Sequence, residues 1–348
     1  MRAPGLPVAG YRAPGGLRSG PNPVRDATGT ISRGTGVTVL VTGAGGFLGG
    51  HLCRALRAAG HVTLAMGRPE GAGRRRVDTY LAMGDLPATD WLVGILRQHR
   101  PGCVYHLAGT VSAPSNEALY RINLTYALRL LDACAALVAP PRVILLGSAA
   151  EYGPPEDPLR DLHEAHPTRP VSAYGASKLA QTQYALSQYR VPVVVARAFN
   201  PIGVGMPTSG AAGRFVSQVA ELANTAALDR AGGVIDTGPL HGIRDLVAAQ
   251  ELAGALVALA APDVTPGRIY NLCTGVGTTM RALTEALTAL APFPVRFQPV
   301  GSDAGVDRAV GDPSRLAAAG ITLNPPDLPV VLGDMLRAAG VEPRNPSP

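Results

Sequence analysis

From residue 37 onward, short runs of wholly apolar residues alternate with stretches in which apolar positions recur every three or four residues. Residues 37–41 form the first run and end at a cluster of glycines. Leu48, Leu52 and Leu56 then follow at i, i+4 and i+8, which predicts a helix over 47–59. A second apolar run covers 62–66, and further strands are expected at 77–83, 103–107, 143–146 and 191–196. Helical patterns over 91–99, 117–137 and 173–189 separate them. Strands alternating with helices predict an α/β fold, a parallel sheet wound on both faces. An unbroken apolar strand such as RVILLG at 142–147 suits a sheet that is covered on both sides.

After residue 200 the rhythm loosens into Gly- and Pro-rich segments, with helices expected at 245–261, 279–290 and 328–339. This half reads as a smaller domain over 200–340, with segments returning to the sheet of the domain over 37–199, and a tail over 341–348. The first 36 residues hold eight Gly and five Pro without apolar periodicity and read as a disordered extension. They lack the continuous apolar stretch of ~7–15 residues that a signal peptide needs. No run in the chain approaches the ~18 apolar residues of a membrane span.

Composition changes this picture in four ways. The chain has 348 residues and is 46% hydrophobic, enough for a sizeable core. Its net charge of +6 resembles a nucleic-acid signal until it is located. The first 36 residues carry five Arg against one acid, Asp26, and the remainder is close to neutral, which is no basis for a nucleic-acid partner. The cysteines, Cys53, Cys103, Cys134 and Cys273, are far apart and form no CxxC pair, as expected of reduced thiols in a cytoplasmic protein. Finally, 30 of the 31 basic residues are Arg, and Lys178 is the only lysine. Arg and Lys are not interchangeable where a compact ammonium must reach a small target, so that exception marks Lys178 for a specific task.

The glycine cluster offers a first piece of chemistry. Gly43, Gly46 and Gly49 are spaced GxxGxxG between the first strand and first helix. Glycines there permit a tight turn, a close backbone approach to a pyrophosphate and close helix–strand packing. The opening helical residues, Phe47 and Leu48, bring N–H groups and the positive helix end to the phosphates. This predicts a dinucleotide site. An NAD-selective site places an acid at the end of the second strand; here the stretch is Ala65-Met66-Gly67-Arg68, followed by Arg74, Arg75 and Arg76. Arg68 can pair with a 2′-phosphate, which favours NADP(H), with NAD(H) still possible.

A second constellation concerns proton transfer. Tyr174 and Lys178 stand at i and i+4 on one helix face, and Ser148 follows the apolar strand at 143–146. Hydride transfer to a ketone creates an alkoxide that must be protonated. A phenol with pKa near ~10 is a sluggish acid–base at neutral pH. A neighbouring ammonium lowers that pKa, and a serine hydroxyl orients and polarises the carbonyl. By contrast, His163-Glu164-Ala165-His166 is one residue short of HExxH, and no metal is expected there.

Together with TGAGGFLG at 42–49, these residues form a wider set: Asp85-Leu86, HLAG at 106–109, Asn123, GSAAEYG at 147–153, YGASK at 174–178, RAFNPIG at 197–203, RDL at 244–246 and YNLCTG at 270–275. On these motifs residues 37–340 resemble the extended short-chain dehydrogenase/reductase family. The resemblance implies a Rossmann domain for the cofactor and a smaller C-terminal domain for a nucleotide-linked sugar. It implies that Asp85 and Leu86 hold the adenine, that Leu107, Ala108 and Gly109 line the cofactor, and that Asn123 supports the active-site helix. A homodimer joined by four helices is implied as well.

Within the family the chain is most similar to the GDP-4-keto-6-deoxymannose reductases, which implies NADPH-dependent reduction of a nucleotide-linked 4-keto-6-deoxyhexose. Dehydratase relatives carry an acid just after the catalytic hydroxyl; Ala149 and Ala150 stand there, and Glu151 is one place too far along. Where relatives set an Arg for the diphosphate the chain has Ser302, with Arg308 shifted closer, and substrate phosphates are expected at Asn200, Arg214, Arg244 and Arg308. Two enzyme alternatives stay open: a redox-neutral nucleotide-sugar epimerase with tightly bound NAD, and a ketoreductase of a non-sugar natural product. A non-enzymatic scaffold on the same fold is disfavoured by the intact Tyr174 and Lys178.

Overall fold

The computed structural model describes residues 37–68, 77–83, 86–157, 159–224, 232–300 and 306–344. The basic N-terminal extension, Arg74 to Arg76, Asp85, Ser302 and residues 345–348 lie outside the described residues.

The chain opens with strand β1 (Thr38–Thr42), helix α1 (Phe47–Ala58), β2 (Val62–Gly67), β3 (Thr79–Ala82), α2 (Thr89–His99) and β4 (Cys103–His106). The stretch expected as one helix over 117–137 is α3 (Asn116–Tyr120) and α4 (Tyr126–Ala135), joined by a wide π turn at Arg121–Thr125. Then come β5 (Arg142–Ser148), a 3₁₀ turn at Ala149–Glu151, α5 (Ala173–Ser187), β6 (Val193–Ala198) and β7 (Asn200–Ile202). The second half contains α6 (Ala211–Ala223), β8 (Gly233–Thr237), β9 (Ile243–Ala248), α7 (Ala249–Ala258), β10 (Arg268–Leu272) and β11 (Gly277–Thr279). It closes with α8 (Met280–Leu290), β12 (Val295–Pro299), β13 (Arg308–Ala309), α9 (Ser314–Ala318) and α10 (Leu328–Ala338).

Seven strands form one parallel sheet in the order β10-β6-β5-β4-β1-β2-β3. Its strands are apolar on both faces because helices cover both. Val39 and Val41 pack with Leu52 and Leu56 of α1 and Leu252 and Leu256 of α7. Leu40 between them packs with Leu92 and Leu96 of α2 and Leu130 of α4. The period-2 alternation of a strand thus feeds two cores from one apolar run. The connections reverse direction between β1 and β4, and a doubly wound sheet opens a crevice where its strand order reverses. The glycine turn after β1 and the loop after β4 flank that crevice.

Most of the remainder packs into a third core, in which α6, α8 and α10 supply Phe215, Val219, Leu283, Leu287, Leu332 and Leu336 around Ile235 and Val295. β8 and β12 pair in parallel, and β9 is flanked by β7, β11 and β13. The helix expected over 245–261 is shorter: Asp245–Ala248 belong to β9, and α7 begins at Ala249. Leu246 and Val247 are buried by strand pairing, a tertiary effect that local periodicity does not reveal. α6 was not expected, although Phe215, Val216 and Val219 have helical spacing. Val341, expected in the tail, is buried in the third core. Cys53, Cys103, Cys134 and Cys273 are all free and buried. Among the described residues, no helix is long and apolar enough to cross a membrane.

Candidate active site

The glycine turn is built by close backbone packing. Gly43 has φ +71°, and a Cβ there would lie 2.7 Å from the Ala108 nitrogen. A Cβ on Gly49 would lie 2.1 Å from the Gly43 carbonyl oxygen. α1 therefore sits hard against the end of β1, with Leu107 and Ala108 pressed against the turn from β4. The first N–H groups of a helix have no partner inside it; here they belong to Phe47, Leu48 and Gly49. Gly46 caps the helix in extended conformation with no side-chain cap, and the first turn holds no acid. This cradle, which side chains would fill, fits a pyrophosphate.

The two sides of the crevice are stitched together beneath it. Thr42 Oγ1 lies 2.8 Å from His106 Nδ1 and accepts the Ala108 N–H at 3.3 Å. Burial, aided by the charge of Lys178, pushes the His106 pKa down to about 3. Gly109 is exposed, and Leu86 is half-buried beside the second core. Arg68 is exposed at the end of β2, where its carbonyl accepts the Tyr80 hydroxyl at 2.7 Å. The nearby Asp78 carboxylate is engaged with the Thr63 N–H at 2.8 Å.

Ser172 caps α5 by accepting the Gly175 N–H at 3.0 Å, so the helix starts one residue before Tyr174. That start places Tyr174 and Lys178 one turn apart beside the end of β5. The Ser148 hydroxyl lies beside Tyr174 and acts to hold its phenol pKa down. Ser148 Oγ accepts the Ala150 N–H at 3.2 Å. Burial raises the phenol pKa, the Ser148 bond opposes the rise and the charge of Glu151 adds to it. The net direction is upward, opposite to the lowering expected from the Tyr–Lys spacing, because burial outweighs the rest.

Lys178 is buried, and its Nζ donates to the Leu146 carbonyl at 2.5 Å and to Gln181 Oε1 at 2.8 Å. Gln181 Nε2 reaches the same carbonyl at 3.3 Å, closing a small ring that holds the ammonium. Burial lowers the Lys178 pKa to about 8 against an opposing pull from Glu151. Gln181 was missed in the sequence. Its only signal is the i+3 spacing from the single lysine.

Asn123 sits at the centre of the π turn and is fully buried. Its Nδ2 donates to the Thr110 carbonyl and to Ser177 Oγ, both at 2.9 Å, and its Oδ1 accepts the Thr110 N–H at 2.8 Å. Ser177 in turn donates to the Tyr174 carbonyl at 2.7 Å. Asn123 clamps the loop after β4 to α5. The extra residue of a π turn re-aims a side chain in this way.

Glu151 faces away from the crevice. Its Oε1 accepts the Ser148 N–H at 2.7 Å, and its Oε2 lies 2.9 Å from Nε and 2.8 Å from Nη2 of Arg197. Both side chains are at most 1% exposed. The Arg197 guanidinium carbon lies 4.3 Å from the Tyr152 ring centroid, and the Tyr152 hydroxyl donates to Asn271 at 2.7 Å. The acid that looked misplaced is committed beneath the site and is closed to a sugar.

Of the residues expected at substrate phosphates, Asn200 and Arg244 belong to the paired strands β7 and β9. Asn200 Nδ2 donates to the Asp245 carbonyl at 3.1 Å. The buried Asp245 carboxylate accepts N–H groups from Thr274, Gly275 and Gly311 and the Thr274 hydroxyl, at 2.8 to 3.3 Å. Arg244 is half-buried and bonds its neighbour's carbonyl, that of Ile243, at 2.9 Å. Arg214 is exposed on α6, its guanidinium 5.6 Å from the Phe215 ring. Arg308 is already engaged: Nη2 lies 2.5 Å from Asp161 Oδ1, and Nη1 donates to the Arg160 carbonyl at 3.0 Å. Glu164 of the HEAH stretch is likewise spent, accepting the Asn271 N–H at 2.9 Å.

Comparison with known proteins gives this geometry a context. The model of the NAD dependent epimerase/dehydratase family matches residues 39–273. The chain is 32% identical over 279 residues to a dTDP-6-deoxy-L-talose 4-dehydrogenase (NAD(P)(+)) of Kitasatospora kifunensis, covering 77% of this chain and 83% of that protein. It is 31% identical to a UDP-glucose 4-epimerase of Azospirillum brasilense, covering 80% of this chain and 83% of the relative. Among solved structures it resembles RMD from Pseudomonas aeruginosa complexed with NADPH, at 26% identity and a TM-score of 0.74 over 87% of this chain and 97% of the other.

Proposed function

The chain belongs to the NAD dependent epimerase/dehydratase family, and from that premise we propose that it reduces the 4-keto group of a nucleotide-linked 4-keto-6-deoxyhexose with NADPH. The observation that carries the reading is the placement of Ser148 and Tyr174 beside the buried Lys178, whose Nζ is held by the Leu146 carbonyl, at the strand end of the sheet that also bears the glycine turn. The bound nicotinamide supplies the hydride. Ser148 holds the keto oxygen through its hydroxyl, and Tyr174 gives its proton to that oxygen as the alkoxide develops. A phenol pKa raised by burial keeps that proton in place at neutral pH. Lys178, with its pKa near 8, is still mostly charged there and stabilises the phenolate left behind.

The cofactor preference rests on the end of β2. Residues 65–68 hold no acid, Asp78 is engaged with Thr63, and Arg68 is exposed. A carboxylate there would repel a 2′-phosphate, whereas a guanidinium pairs with it. Asn200 and Arg244 are the residues we assign to the substrate phosphates. Arg308 joins them only by leaving Asp161. Dehydration is disfavoured because Glu151 faces the core.

The test is the absorbance of NADPH while the purified protein meets a panel of nucleotide-linked 4-keto-6-deoxyhexoses. Stoichiometric loss with one of them is expected. No loss with any, together with bound NAD in the purified protein and interconversion of 4-epimers, would replace reduction by epimerisation, as in the Azospirillum relative.

A further inference from the structure

We propose that Glu151, held by Arg197, is a positioning residue for the Ser148 hydroxyl, acting by accepting the Ser148 backbone N–H from beneath the site. The proposal rests on the reading of Ser148, Tyr174 and Lys178 as the proton-transfer trio. Ser148 is the last residue of β5 and the cap of the 3₁₀ turn that follows, in an extended conformation with φ −148° and ψ 143°. Two contacts define that conformation: Ser148 Oγ accepts the Ala150 N–H, and Glu151 Oε1 reaches back to the Ser148 N–H at 2.7 Å. This is a capping box closed over a single short turn. It fixes the backbone from which the serine hydroxyl projects, and that hydroxyl acts on Tyr174 by holding its phenol pKa down.

A carboxylate with no exposure is costly unless it is paired and its lone pairs are satisfied. Arg197 meets that cost from β6, with Nε and Nη2 both on Oε2 and the guanidinium plane over Tyr152. The other oxygen is thereby left to Ser148. The box has no slack, since a Cβ on Gly147 would lie 2.7 Å from Glu151 Oε1 and 3.2 Å from a Val195 methyl. The groups that face Glu151 are Arg197 and Tyr152 beneath it and Tyr174 and Lys178 from α5, and its charge raises the pKa of both α5 groups. Charge and position must therefore be separated experimentally.

Two neutral double variants do so: Glu151→Gln with Arg197→Met, which keeps an acceptor for the Ser148 N–H, and Glu151→Leu with Arg197→Met, which removes it. Both are folded by circular dichroism before use. Tyrosine is labelled with ¹³C at Cζ, and the Tyr174 signal is identified by its loss in Tyr174→Phe. With NADP⁺ bound, the Tyr174 midpoint is expected to lie lower in the Gln variant than in the Leu variant, because only the former keeps Ser148 aimed at the phenolate. Coincident midpoints in the two folded variants overturn the proposal. Where a 4-keto sugar is turned over, the Gln variant should exceed the Leu variant in kcat/KM by ~10²-fold, the order of effect of misplacing a reacting group. A midpoint difference in a protein that reduces no 4-keto sugar would leave the positioning role standing and remove only the substrate reading.

Discussion

The two halves of the active-site region are built by different means. Around the strand ends of β1, β4 and β5, function rests on contacts that allow almost no movement: glycine against carbonyl, a buried ammonium in a ring of acceptors, a buried ion pair under a serine. On the other side, Asn200 bonds the Asp245 carbonyl, Arg244 the Ile243 carbonyl and Arg308 the Asp161 carboxylate, while the Asp245 carboxylate gathers N–H groups from three distant residues. The first half is held by close packing, and the second by short strands paired around β9. The comparison teaches where variation can be absorbed. Hydride and proton transfer need fixed distances, whereas the proposed sugar-nucleotide contacts tolerate a change of side chain on the short strands around β9.

If this division is right, substitutions in the first half act on kcat and those in the second on KM or stability. Tyr174→Phe should show the largest effect, a loss of roughly 10²–10⁴-fold in kcat with cofactor binding retained, read by stopped-flow and by NADPH fluorescence. Retained turnover would break the comparison at its strongest point. Gly49→Ala comes next: its Cβ meets the Gly43 carbonyl at 2.1 Å, so α1 must shift and NADPH affinity should fall by ~10²-fold or the fold be lost. Isothermal titration and thermal melting distinguish the two.

Asp245→Ala removes four hydrogen bonds from the clamp and leaves buried N–H groups unpaired. We expect a destabilisation of about 2–4 kcal/mol and a raised KM for the sugar nucleotide, by denaturant titration and steady-state kinetics. His106 gives a smaller, pH-dependent effect. Its folded pKa is near 3 and its unfolded value is near 6.5, so the unfolded state binds the extra proton between those values. Stability from this group is full above pH 6.5 and declines as pH falls toward 3, at ~1.4 kcal/mol per pH unit. The slope of Tm against pH below 6.5 should be shallower in His106→Gln. Arg308→Ala should change stability least, by less than about 1 kcal/mol, because its pair with Asp161 is partly exposed. A larger rise in KM than in stability loss would show that Arg308 leaves Asp161 to meet the substrate.

The same division explains what could be read from the chain. β1, α1 and β2 were legible because an apolar run, three glycines in register and a Leu stripe all lie within thirty residues. Ser148, Tyr174 and Lys178 were legible because the chemistry demands those residue types and the lysine is unique. Residues 245–248 have a helical pattern in the sequence, and the partners that make them a strand are distant: Gly277 on β11 for Asp245, and 200–202 on β7 for 246–248. Glu151 was noticed only as displaced, since nothing local announces that Arg197 lies beneath it. The upward shift of Tyr174 was equally out of reach: it is a consequence of burial, which spacing does not measure. Asp85, expected at the adenine, lies outside the described residues.

The four free cysteines are spread across α1, β4, α4 and the residue after β10, and each is buried. Burial holds Cys53 near pKa 11 and Cys103 and Cys134 near 12, and it pushes Cys273 up as well. A thiol so shielded cannot meet a reagent until its own neighbourhood opens. The native chain therefore carries four built-in clocks, one for each of four places in the fold. The order in which they are labelled would trace how the two faces of the sheet come apart.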